Sequence, residues 1–95
     1  MYGERVIRRH VIVSGAVQGV GYRYLARKHA ERLAITGWVR NLPDGTVEAE
    51  VQGPSRAVRE MIRRLEQGPP GSQVTGVAVD ELEPRDDDDG FLIVR

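Results

Sequence analysis

The residues best suited to chemistry lie in one run, Gly15-Ala-Val-Gln-Gly-Val-Gly-Tyr-Arg23. Glycines at 15, 19 and 21 let backbone N–H groups turn inward on one centre, because no Cβ opposes positive φ or the close approach of a ligand. The run leads into a segment of helical periodicity, so unpaired first N–H groups and the positive end of a helix dipole face the same centre. Arg23 falls in the first turn of that helix. Its side chain leans back toward the N-terminus and offers a planar, charged fork that matches phosphate oxygens in pairs. Anion binding is the chemistry this predicts, with donors from the backbone of Ala16, Val17, Gln18, Gly19, Val20 and Gly21 and from Arg23. Two other phosphate loops are excluded. Gly19 is followed by Val20 and Gly21 instead of Lys and Ser or Thr, and the spacing G-x-x-x-G-x-G is not G-x-G-x-x-G. Glycines alone also suit an ordinary strand-to-helix connection.

Asn41 is the second candidate. It closes a strand-like segment just before Leu42-Pro-Asp-Gly45. A neutral amide is no general base near pH 7, but its oxygen accepts from water and can hold that water on line with a phosphorus atom. The same residue type also serves in turns, bonding its own backbone.

These residues need elements to hold them. Residues 6–14 read as a strand, with Ile7, Val11 and Val13 on one face and Val6, Arg8, His10 and Ile12 on the other. Tyr22, Leu25, Ala26, His29, Ala30 and Leu33 form the apolar stripe of a first helix, with His29 expected to be packed and hydrogen-bonded. Residues 36–41 alternate as a second strand. Pro43 and Gly45 then set a turn, and Val47, Ala49 and Val51 face inward on the return strand. Gly53-Pro-Ser55 stops that strand and starts a second helix with the stripe Val58, Met61, Ile62 and Leu65. A strand over 74–82, a polar loop and a short strand from Phe91 complete the chain. The order β-α-β-β-α-β plus a short C-terminal strand predicts an α+β, ferredoxin-like split βαβ fold, an antiparallel sheet with two helices on one face.

Composition narrows the function classes. The 95 residues are expected to form a single domain, 1–95, and contain no cysteine, which removes disulfides, iron–sulfur clusters and a thiol nucleophile. No run approaches the roughly 18 apolar residues of a membrane span, and the N-terminus lacks a signal-peptide core, so a cytoplasmic protein with no membrane partner is expected. Net charge is zero but unevenly spread: residues 1–40 hold eight Arg and Lys against two Glu, and residues 41–95 hold six against twelve acidic groups. The positive half contains the glycine run, which suits an anionic ligand. Asp86 to Asp89 invites a metal reading, but Arg85 stands where the EF-hand pattern needs an acid, so a solvated loop that disfavours edge pairing is expected and no metal.

Together, the run 15–23, Gly37-Trp-Val-Arg-Asn41, Gly45-Thr-Val47 and Gly53 resemble the two signature segments of the acylphosphatase family over nearly the whole chain. Tyr22 departs from the family's usual Phe, and its hydroxyl needs a partner. The resemblance implies hydrolysis of a carboxyl–phosphate anhydride without metal or other cofactor. It also implies that Arg23 and the amides of 16–21 bind the phosphoryl group while Asn41 positions the water. Small acyl phosphates and phosphate are the expected partners, and a monomer the expected state. The terminal strand could also bring the carboxylate of Arg95 near Arg23. A non-catalytic phosphate- or RNA-binding module of the same fold is the alternative; it would need exposed aromatics on the sheet, and only Trp38 is an obvious outward ring. Hydrogenase-maturation carbamoyltransferases carry a similar N-terminal domain, but the missing zinc-finger cysteines lead to the expectation of a stand-alone enzyme.

Overall fold

The computed structural model describes residues 4–86 and 89–95. The elements follow in the order β1 (Val6–Ala16), α1 (Tyr22–Arg32), β2 (Thr36–Asn41), β3 (Val47–Pro54), α2 (Ser55–Gln67), β4 (Gln73–Leu82) and β5 (Phe91–Ile93). The strands make one sheet in the order β4-β1-β3-β2-β5. β1 pairs antiparallel with both β3 and β4, and β2 pairs antiparallel with β3. β5 pairs parallel with β2, so the sheet is mixed where an antiparallel one was expected. β4 and β5 occupy opposite edges, and the segment between them has to cross the whole sheet before β5 can pair.

Alternation on the strands decides which face is buried. Val11, Val13, Val39, Val47, Ala49 and Val51 point to the helices and are fully buried, meeting Ala26, Ala30, Val58, Met61 and Leu65. Apolar burial of this kind is the main favourable term in folding. α1 packs on β2 and β5, and α2 on β1, β3 and β4. Beyond its C-cap Leu33, α1 is closed by Ala34, a non-glycine at φ 56. The N–H of Ala34 donates to the Glu31 carbonyl and that of Ile35 to the Ala30 carbonyl, the paired bonds of a Schellman closure. α2 starts after Pro54 with its cap supplied from afar: the Glu4 carboxylate accepts from the Arg56 N–H at 2.8 Å and the Ser55 hydroxyl at 3.0 Å.

The helix-free face carries charge. The fully buried Arg8 guanidinium donates to Glu50 Oε1 at 2.8 Å and to Gln52 Oε1 at 3.1 Å. His10 lies 2.7 Å from one Glu48 oxygen, and Arg40 donates to the other at 2.6 Å while stacking on Trp38. The hydrogen bond from His10, then that from Arg40, holds the Glu48 carboxyl below its usual range. Gln52 exchanges two hydrogen bonds with the backbone of Arg85, so the β4–β5 segment crosses this face above Arg8. The connection through Arg85 is therefore a crossover; Asp87 and Asp88, in the expected solvated acidic loop, lie outside the described residues. No helix among the described residues is long and apolar enough to cross a membrane.

The Tyr22 hydroxyl finds its partner in the Leu65 carbonyl at 2.6 Å, one of the orphan carbonyls at the end of α2. Burial pushes the phenol well above its ordinary range. Tyr22→Phe leaves that carbonyl unsatisfied and should cost about 1 kcal/mol, a fall of about 4–8 °C in melting temperature by calorimetry. His29 is half-buried, and its Nδ1 accepts from Arg64 Nη1 at 3.3 Å. Burial first, then Arg64, Arg32 and Lys28, hold its pKa below 6.5. The unfolded chain therefore binds the proton more readily. This stability is present above pH 6.5 and is lost as the pH falls toward the folded value. Urea unfolding at pH 8 and pH 5 should show that loss in the wild type and a smaller one in His29→Gln.

Candidate active site

The glycine run begins while β1 is still paired. A register shift lies between Ser14 and Gly15, and Gly15, at φ 122, sits so close to β4 that a Cβ would strike the Gln73 carbonyl. The chain then leaves the sheet through residues 17–21, with Gly19 at φ 78 and Gly21 at φ 77. Positive φ at alternate positions turns successive N–H groups to one side, the geometry of an anion nest. Among the described residues the N–H groups of Gln18, Gly19, Val20 and Gly21 donate to no backbone carbonyl. That of Val17 is already engaged, 3.0 Å from the Gly15 carbonyl. Gly21 is also the N-cap of α1, which has no side-chain cap and no acid in its first turn, so the helix end stays electropositive and open.

A cleft of about 160 Å³ opens there, lined by Val17, Gly19, Gly21, Tyr22, Arg23, Tyr24 and Asn41. The structure therefore brings together Arg23 and Asn41, which lie on different elements. Of the other predicted residues, Val17, Gly19 and Gly21 line the cleft. Ala16 ends β1 opposite Gln73, Val20 packs on the core, and Gln18 sends its side chain elsewhere. Arg23 has no hydrogen-bond or ion-pair partner among the described residues, Arg95 included. Asn41 Oδ1 is buried and accepts no hydrogen bond among the described residues. The turn role open to Asn41 is filled by Asp44, whose Oδ1 accepts from the Thr46 hydroxyl at 2.6 Å and the Thr46 N–H at 3.0 Å. Both bonds, the hydroxyl's first, lower the Asp44 pKa. A groove of about 800 Å³ at the far end of β1, lined by Arg5, Arg9, Arg59 and Glu81 among others, is larger. It includes the Arg9–Glu81 ion pair and has none of the glycine nest.

Sequence reading missed the side chain of Gln18. Its amide donates to the Leu42 carbonyl at 2.8 Å and the Thr46 carbonyl at 2.9 Å, fastening the loop to the turn that follows Asn41. The signal was its being the one polar side chain among residues 15–21.

Two helices lie on one face of a five-stranded sheet, with free amides beyond the end of β1 and an unpaired arginine in the first turn of α1, and these define an α+β protein with its open cleft at that end of the sheet. The chain belongs to the acylphosphatase family, whose family model matches residues 9–93. It is 53% identical over 76 residues to an acylphosphatase of Chlorobaculum tepidum, covering 80% of this chain and 83% of that protein. It is 47% identical over 87 residues to one from Anaeromyxobacter dehalogenans, covering 92% and 94%. The crystal structure of acylphosphatase from Bacillus subtilis superposes with a TM-score of 0.90 at 36% identity, covering 94% of this chain and 99% of that one.

Gln18→Ala removes both bonds that hold the loop to the turn. It should leave the fold intact and weaken inorganic phosphate binding by roughly tenfold, read as reduced protection by phosphate against thermal unfolding.

Proposed function

We propose that the protein hydrolyses acyl phosphates to a carboxylate and inorganic phosphate, with Arg23 and Asn41 as catalytic residues. The observation that carries this reading is the convergence of an unpaired guanidinium, the free N–H groups of Gly19 and Gly21 and the unpartnered Asn41 oxygen on one cleft. The nest and Arg23 hold the phosphoryl oxygens and neutralise charge gathering on them in the transition state. Asn41 Oδ1 accepts one hydrogen bond from water and aims its oxygen at phosphorus, opposite the acyl oxygen. The water oxygen bonds to phosphorus, the bond from phosphorus to the acyl oxygen breaks, and its electron pair leaves on the carboxylate. The proton of the water passes to a phosphoryl oxygen, because neither signature segment holds a His, Asp or Glu to take it. A carboxylate is a good leaving group, so no acid is needed. Arginine and backbone amides supply the positive charge, and the reading calls for neither metal nor cofactor.

The same reading makes the protein a cytoplasmic monomer, a single unit over residues 1–95, that binds small acyl phosphates and phosphate. Nucleic acid is not a partner in it. Arg40 covers Trp38, and Glu48 and Glu50 put carboxylates on the face where bases would stack.

Benzoyl phosphate hydrolysis, with EDTA present and a phosphate monoester as control substrate, tests the assignment. Arg23→Gln and Asn41→Ala should each lower turnover by about 10²- to 10³-fold, the wild type being indifferent to chelator and inactive on the monoester. A folded wild type that leaves benzoyl phosphate untouched returns the chain to the binding-module reading.

A further inference from the structure

The cleft is small. Substrate pockets usually measure about 300–1,000 Å³, so about 160 Å³ takes a phosphoryl group and leaves the acyl part on the rim. That rim is Tyr24, which lines the cleft, is 65% exposed, and carries the Arg27 guanidinium 5.6 Å from its ring centroid. Arg27 lies one helical turn beyond Arg23, an axial offset of about 6 Å, and its side chain leans back over that turn. Arg8, Arg9, Arg40, Arg56, Arg63 and Arg64 each pair with a carboxylate. Arg23 and Arg27 pair with none among the described residues, as do Arg5, Arg32 and Arg59, but of these only Arg27 stacks on a ring that lines the cleft. Two like charges at i and i+4 repel, and α1 places no acid in its first turn to relieve them.

Given the acylphosphatase reading on which this rests, we infer that Arg27, held on the Tyr24 ring, is a specificity residue for a second anionic group on the acyl chain. The favoured substrates are then acyl phosphates bearing a carboxylate or similar anion at the distal end of the acyl chain, beyond the carbons that rest on Tyr24. Arg23 takes the phosphoryl group, Arg27 the distal anion, and the Tyr24 ring the carbon skeleton between them. The aromatic face fixes the guanidinium and keeps it partly desolvated, which strengthens its bond to a carboxylate.

A rigid pair of substrates separates this role from general electrostatics. In 4-carboxybenzoyl phosphate the distal carboxylate lies across the ring from the acyl carbonyl, and 4-carbamoylbenzoyl phosphate is its neutral counterpart. The wild type should show a higher kcat/KM for the carboxylate, expressed mainly in KM. The ratio of the two kcat/KM values should fall roughly three- to tenfold in Arg27→Gln and further in Arg27→Glu. It should stay at the wild-type value in Lys28→Gln, which removes the same charge one residue along. A ratio unmoved by either Arg27 substitution, or moved as much by Lys28→Gln, overturns the inference and leaves the hydrolase reading standing. A wild type that hydrolyses neither substrate overturns the hydrolase reading and this inference with it.

Discussion

Two hydrogen bonds from one amide hold the site in shape. Gln18 reaches from the glycine loop to the carbonyls of Leu42 and Thr46, residues more than twenty positions away in sequence, and so fixes the loop against the turn that Asn41 enters. The same turn is closed by its own backbone, Leu42 N–H to Thr46 and Gly45 N–H to Leu42, and by the Asp44–Thr46 bonds. A flexible nest would lose entropy on gathering an anion. Fastening it to a turn that is already rigid settles part of that cost during folding, which is the preorganisation the proposed phosphate site calls for.

The sheet explains why the loop can reach the turn. β1 is an interior strand, β3 lies beside it and β2 beside β3, so the end of β1 and the β2–β3 turn meet at one end of the sheet. The helices then cover one face with apolar side chains, and α1 does double duty. Its buried stripe anchors it on β2 and β5, while its open first turn faces the cleft. Tyr22 joins the two roles. It lines the cleft at the start of α1 and bonds the end of α2 through its hydroxyl, so the head of α1 is tied to the second helix.

The opposite face is held by a different physics. Arg8 is fully buried there without an apolar core around it, and such a charge is tolerated only when its donors find partners. Glu50 and Gln52 supply them from β3, and the crossover between β4 and β5 passes above. One acidic, polar connection thus lets the chain add its last strand at the far edge while closing over the charge on the sheet.

The sequence by itself determined the features that are complete within a few residues. Alternation on residues 6–14 and 36–41, the stripes of both helices, and the nest-forming glycines are local, because strand, helix and turn each have their own short period or dihedral requirement. The positions of Arg23 and Asn41 at the ends of elements were legible for the same reason: each stands at a fixed offset from such a feature, and the cleft holds both. Tertiary structure alone decided what joins distant segments. The Gln18 clamp, the burial of Arg8, the parallel pairing of β5, the Glu4 cap on α2 and the Tyr22 bond to Leu65 depend on which strands and helices lie side by side. A side chain carries its hydrogen-bonding capacity in its type, but its partner is set by topology, and only the folded chain brings that partner within about 3 Å.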